Sequence, residues 1–227
     1  MKGLYLYIDL LTLAGPLFLS FDKRVRFYQY WKALITGILV MMLVFIPWDI
    51  AFTNEGIWGF NERYLIGVSL FNLPLEEWLF FIVVPYACVF IYACVLSYFP
   101  KVSGTSNLFF GGARLFALTL IAIGAMNYGR LYTSITFLMA GFYLLYHVYR
   151  QSHYLRAFIM AYLISLIPFL IVNGVLTGTG IDSEIVWYNN HHNMGLRLIT
   201  IPIEDTIYSL LMLLITTHVF ETLKKPN

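Results

Sequence analysis

Hydrophobic residues in this chain gather into seven long blocks, near residues 4–20, 33–48, 73–98, 112–128, 131–148, 157–175 and 200–220, with polar residues collected between them. Several reach the roughly 20 residues that a helix needs to cross about 30 Å of hydrocarbon, so the pattern predicts membrane-spanning helices. The fourth and fifth are parted only by Gly129 and Arg130. The expected fold class is therefore all-α, a polytopic membrane protein with about seven transmembrane helices. A loop of about 24 residues follows the second helix, and a similar one follows the sixth.

Those two loops resemble each other. Trp31–Gly56 aligns with Leu155–Gly180 at a constant offset of 124, matching Ala33 with Ala157, Thr53 with Thr177 and Gly56 with Gly180. Four inserted residues raise the offset to 128, and Trp58, Asn61, Pro74, Glu76 and Glu77 then meet Val186, Asn189, Pro202, Glu204 and Asp205. Moving the gap by one residue lets Trp187 take the place of Trp58. Each half is thus expected to be a unit of three helices, residues 1–110 and 131–227. A linking helix over 111–130 returns the chain so that both units cross in the same direction. A parallel repeat of this kind implies a pseudo-twofold axis along the membrane normal and a shared cavity, with the paired motifs facing each other across it.

Composition supports the membrane and narrows the chemistry. Of 227 residues 60% are hydrophobic and only 11% charged, too little charge for the surface of a soluble domain of this size. The net charge of +2, with its Lys and Arg scattered, argues against a nucleic-acid partner. Seven spans put Lys23, Arg24, Arg26, Lys32, Lys101, Arg114, Arg150, Arg156, Lys224 and Lys225 on one face, against Lys2, Arg63, Arg130 and Arg197 on the other. The Lys and Arg excess marks the cytoplasmic side, so the C-terminus is expected inside and the N-terminus outside. Asp49, Glu55, Glu62, Glu76, Glu77, Asp182, Glu184, Glu204 and Asp205 then fall at or near the outer face. Cys88 and Cys94 lie on different faces of one helix and are read as inert thiols. The N-terminal block lacks a small-residue cleavage pattern and reads as a retained first helix.

The candidate chemistry lies in Asn72-Leu-Pro-Leu-Glu76-Glu77-Trp78 and Thr200-Ile-Pro-Ile-Glu204-Asp205-Thr206. Proline suits a first helical turn, which places the acids just inside helices three and seven. The helix N-terminus favours the anion, whereas burial beside a second acid favours the neutral form, and the second effect is the larger for at least one member of each pair. A proton is then available at neutral pH. Ionised acids in a bilayer cost on the order of 3 kcal/mol each, so four of them imply a function. Around them stand Trp48, Asp49, Thr53, Trp58, Asn61 and Trp78 in the first half, with Asn173, Thr177, Trp187 and Asn189 in the second. Asn72 and Tyr208 flank the two motifs and complete the candidate lining. Aromatic faces stabilise a cation without trapping it, which suits carbocation chemistry. His191 and His192 are the one possible metal feature, and a His pair in a loop is ordinarily solvated, so no metal is expected. Neither a dinucleotide fingerprint nor a Walker sequence is present.

Taken together, Trp48-Asp49, Thr53, Gly56, Trp58, Phe60-Asn61 and Pro74-Leu-Glu76-Glu77, then Asn173-Gly174, Thr177-Gly178, Trp187-Tyr188-Asn189 and Pro202-Ile-Glu204-Asp205, resemble the non-flavin lycopene cyclases. That family occurs as two small membrane subunits, as a fused single chain, or joined to phytoene synthase in fungi; the likeness here covers nearly the whole chain in the fused form. The second half departs from the pattern by having Asn173 or Gly174 where the first has Asp49. The resemblance implies conversion of lycopene to β-carotene through γ-carotene, an acid–base isomerisation without net redox or cofactor. Glu76, Glu77, Glu204 and Asp205 would be the acid and base set and Asp49 an orienting or relaying group, with a lipophilic carotenoid and membrane lipid as the only partners implied. Related outcomes of the same cation chemistry are hydration and cyclisation of C50 carotenoids. A transporter or channel built on intramembrane acids is the alternative from another class. A seven-helix retinal protein is disfavoured, since helix seven carries no internal Lys.

Overall fold

A computed structural model describes residues 1–104 and 106–224; Lys225, counted above with the cytoplasmic charges, lies outside the described residues. The seven apolar blocks form α1 (Leu4–Leu19), α2 (Trp31–Asn54), α3 (Leu75–Tyr98), α4 (Asn107–Met126), α5 (Leu131–Tyr149), α6 (Leu155–Leu176) and α7 (Ile203–Leu223). Among the described residues six of these are long and apolar enough to cross a membrane, and α1, with 16 residues, is shorter. Leu11, Leu43, Leu163, Ile167 and Ile171 are exposed on the outside of the bundle, a surface that lipid must cover. The protein is a multi-pass membrane protein.

The fourth helix begins at Asn107, ahead of the expected residue 112, capped by the Ser106 side chain, which accepts from the Phe109 N–H. The polar residues Asp49, Thr53 and Asn54 suggest that helix two ends at residue 48, yet α2 runs on to Asn54. Asp49 is buried inside the bundle and Thr53 donates to its Oδ1 one turn earlier, so these polar side chains are satisfied within the helix.

The elements repeat at the offsets read from sequence. α2 and α6 begin 124 residues apart, at Trp31 and Leu155. The short strands β1 (Trp58–Phe60), β2 (Ser69–Leu70) and β3 (Leu73–Pro74) recur 128 residues later as β4 (Val186–Tyr188), β5 (Arg197–Leu198) and β6 (Ile201–Pro202). β2 and β3 form a hairpin, as do β5 and β6, each turning through a non-glycine residue at positive φ, Phe71 at 57° and Ile199 at 61°. β1 pairs with β4 antiparallel, with Trp58 opposite Tyr188, Gly59 opposite Trp187 and Phe60 opposite Val186. That register is symmetric about Gly59 and Trp187, so the equivalent of Trp187 is Gly59 and not Trp58. A Cβ on Gly59 would stand 2.4 Å from the Trp187 ring, which explains the glycine.

The halves exchange helices in packing. α2 lies against α7 and α3 against α6, so the middle helix of each half meets the last helix of the other; α1 then packs on α3 and α5 on α7. α4 sits at the periphery against α5, where Gly124 and Gly141 let the two backbones approach.

Candidate functional site

Pro74 and Pro202 are the N-cap residues of α3 and α7, each in extended conformation with ψ of 151° and 139°. This aims the hairpin strand straight into the helix and sets the two acids at its second and third positions, buried at the centre of the bundle. The acids in each pair then part company.

Glu76 Oε1 accepts from the Ile66 backbone N–H at 2.7 Å, and Glu204 Oε1 accepts from the Met194 backbone N–H at 2.8 Å, an identical bond at an offset of 128. Thr133 also donates to Glu204 Oε1, at 2.6 Å. Both glutamates thus tie the hairpin loop to the helix start. Neither lines the central cavity.

Glu77 and Asp205 do line it, together with Asp49, in a space of about 60 Å³. Tyr5 of α1 donates to Glu77 Oε2 at 2.6 Å, and Tyr132 of α5 donates to Asp205 Oδ1 at 2.6 Å, which again is one interaction made twice. Pseudosymmetry ends at the next shell. Asp205 Oδ2 also accepts from Asn173 Nδ2 at 2.7 Å and from the Tyr188 hydroxyl at 2.9 Å, so this carboxyl faces three donors. Glu77 instead has Asp49, the residue at the Asn173 position, as its neighbour in the same cavity, and Asp49 Oδ2 is buried without a hydrogen-bond partner. Asp49 Oδ1 takes the Trp58 indole N–H at 2.6 Å. Two buried carboxyls sharing one small cavity favour keeping a proton on one of them, whereas three donors aimed at one carboxyl stabilise its anion. Burial, and then the neighbouring Asp205 carboxyl, push the Tyr188 phenol up, so it remains a donor.

Aromatic rings wall the cavity. Trp58 stands edge-on to Tyr132 with centroids 5.0 Å apart, Tyr132 stacks on Tyr188 at 5.9 Å, and Tyr208 meets Trp58 at 6.1 Å. Four π faces around a space holding acids can attract a positive charge that forms between them.

Of the residues singled out from sequence, Asp49, Trp58, Glu77, Asn173, Asp205 and Tyr208 line this cavity. Trp48 lies behind it, packed between Phe45, Phe52 and Tyr208. Thr53 serves Asp49. Asn61 donates to Ser183 and to the Glu184 carbonyl, Asn72 to the Ile50 carbonyl and Asn54, and Thr177 joins Thr200; these are bonds that hold loops. Trp78 stacks on Phe71 outside the cavity, Trp187 lies over Gly59, and Asn189 caps the His191 N–H. His191 and His192 belong to no cluster of three possible metal ligands among the described residues. Tyr5, Tyr132 and Tyr188 were not among the candidates. Tyr5 and Tyr132 are 127 residues apart, an offset that neither the 124 nor the 128 of the repeat supplies, so the sequence alignment does not pair them.

A protein-family model described as lycopene cyclase matches residues 2–95 and 129–223. Two curated relatives are bifunctional lycopene cyclase/phytoene synthases. The one from Leptosphaeria maculans is 34% identical over 55 residues, 24% of this chain and 10% of the fungal protein. The one from Aspergillus oryzae is 31% identical over 62 residues, 27% of this chain and 11% of that protein. The matched stretch thus spans about a tenth of each relative. No solved structure matches.

Proposed function

The chain belongs to the lycopene cyclase family, and from that premise we propose that it isomerises lycopene to β-carotene through γ-carotene, with no net redox and no cofactor. The observation that carries this reading is the pair of unlike carboxyl environments in one aromatic-walled cavity: Glu77 against Asp49, and Asp205 beneath three donors.

The proton shared by Asp49 and Glu77 goes to C2 of the terminal C1=C2 bond and leaves a tertiary cation at C1. The C5=C6 double bond attacks C1, closing the ring and moving the cation to C5. Asp205, held as carboxylate, removes the proton from C6 and the C5=C6 bond re-forms. One proton enters and one leaves, so the formula is unchanged. Tyr5 donates to Glu77 and so stabilises the charge that appears there as its proton departs. Trp58, Tyr132, Tyr188 and Tyr208 stabilise the cation and exclude water that would quench it to an alcohol. On this account Glu76 and Glu204 position the hairpins and do not transfer protons. We further read residues 1–110 and 131–227 as two cyclase units joined through residues 111–130, which hold most of α4 (Asn107–Met126). The distribution of Lys and Arg supports insertion in the cell membrane with the N-terminus outside and the C-terminus cytoplasmic.

Expression in a lycopene-accumulating bacterium, with pigments separated by chromatography and weighed by mass spectrometry, tests the activity. Cyclic products of unchanged mass, absent with Glu77→Gln and with Asp205→Asn, are expected. Unaltered lycopene despite protein in the membrane overturns the reading, and a product heavier by water replaces it with a hydratase.

A further inference from the structure

Beyond the acid cavity the interior continues on one side only. A crevice between α3 and α6, floored by α7, shares Phe80, Val84, Phe169, Asn173 and Ser209 with the acid cavity. It runs down the α3 face past Ala87 and Cys88 to Ile91. From Glu77 to Ile91 is 14 residues, or about 21 Å along the helix. Its side is open: Val84, Cys88, Ile91, Tyr162, Leu166 and Phe169 are all half-buried, with Thr12 of α1 at the edge. Every hydroxyl along it is already satisfied. Thr12 donates to the Ile8 carbonyl, Ser165 to the Ala161 carbonyl and Tyr162 to the Thr206 carbonyl. Apart from the Cys88 thiol and the end shared with Asn173, the lining therefore offers hydrocarbon.

Pseudosymmetry supplies a control. The equivalent seam lies between α7 and α2, where Met212 and Thr216 stand for Val84 and Cys88, and Phe45 and Met41 stand for Phe169 and Ser165. All four are fully buried. Phe45 and Tyr208 close it with centroids 4.8 Å apart. Lower down, Gly37 lets the helices touch, since a Cβ there would lie 2.8 Å from the Thr216 carbonyl oxygen; its counterpart on the open side is Ala161, which carries that Cβ. One seam is filled and the other is not.

We infer that the α3–α6 crevice is the bed for the polyene tail of the acyclic carotenoid, which slides in sideways from the lipid while its end lies among Glu77, Asp49 and Asp205. This rests on the reading of the acid cavity as a cyclase site. Continuity with that cavity, an apolar lining and a lateral opening all fit a long hydrocarbon. Among the described residues one such bed opens onto the acid cavity, so the protein holds one substrate end at a time.

The test plugs the crevice. Ala87→Trp and Ser165→Phe place bulk inside it; Ile82→Trp and Ile167→Trp place bulk on the lipid-facing sides of the same helices and serve as controls. Lycopene conversion is expected to fall more than tenfold in the plugged variants and to stay within about twofold of wild type in the controls. Loss in neither pair overturns the inference, and so does equal loss in both. Photolabelling with a small lipid-soluble diazirine complements this without altering the crevice. In a Glu77→Gln chain, lycopene should suppress labelling at Cys88 and Ile91 several-fold and leave Ile82 and Ile167 unchanged. Labelling at Cys88 and Ile91 that lycopene does not reduce overturns the inference even where a plugged variant fails to accumulate. Wild-type conversion is measured in parallel. No conversion at all rejects the cyclase reading itself, whereas conversion that is indifferent to the plugs rejects only the bed.

Discussion

At the residue scale, four acids in two matching motifs divide by direction rather than by sequence. Glu76 and Glu204 point at backbone N–H groups of their own hairpins, and Glu77 and Asp205 point into the cavity. Glutamine at 76 or 204 keeps an accepting oxygen for that N–H. Glu76→Gln and Glu204→Gln are therefore expected to retain conversion within about tenfold of wild type, while Glu77→Gln and Asp205→Asn lose the general acid or base, worth about 10²–10⁴-fold. Pigment analysis of the four variants side by side checks this; equal losses at 76 and 77 would refute the division of roles. Tyr5 and Tyr132 each contribute a short hydrogen bond to a carboxyl that changes charge in the proposed mechanism. Removing such a bond costs about 1.5–3 kcal/mol, so Tyr5→Phe and Tyr132→Phe should lower kcat about tenfold to a hundredfold and leave KM nearly unchanged. A rise in KM with constant kcat would place these tyrosines in binding instead.

At the element scale, the ribbon of β1 and β4 joins the two halves over the site and depends on Gly59 beneath the Trp187 ring. Gly59→Val should destabilise the protein by about 1–3 kcal/mol through overpacking, and a second change, Trp187→Ala, should restore part of that loss. Thermal unfolding in detergent measures both, and strict additivity would contradict the contact. Much of this layer was legible in the chain. Both proline caps and both acid pairs recur at one offset because the same local geometry demands the same residues twice, whereas the β-hairpins ahead of them read from sequence only as loops. The end of α2 was less legible, since Asp49 and Thr53 look like loop residues until a buried partner accounts for them. Tyr5 and Tyr132 were hidden for a related reason: a tyrosine in an apolar block reads as a membrane-interface residue, and only tertiary packing on α3 and α7 shows which carboxyl it meets.

At the scale of the whole molecule, two similar halves make one unsymmetrical site. Sequence symmetry leads one to expect two equivalent seams. Which of them closes is decided by packing, through Gly37 against Thr216 and Phe45 against Tyr208, and helical periodicity alone does not specify that outcome. A single bed has a kinetic consequence. After the first ring closes, the molecule must leave and return with its other end, so the monocyclic product should appear in the lipid before the bicyclic one. A time course begun with lycopene in proteoliposomes should show γ-carotene rising first, and excess unlabelled γ-carotene should compete with labelled intermediate for the second cyclisation. Bicyclic product formed without any free intermediate would contradict a one-ended site.

In the proposed mechanism a carboxyl proton starts the cyclisation and a carboxylate ends it. Conversion of lycopene in membranes equilibrated with D₂O, followed by mass analysis of the separated pigments, tests it most directly. The acid proton exchanges with solvent and is delivered to C2, while the proton lost from C6 is the substrate's own, so each ring should carry one deuterium: one in the monocyclic product and two in the bicyclic. Cyclic product free of deuterium would contradict the account, because the proton would then have moved within the substrate and the buried acids would not be its source.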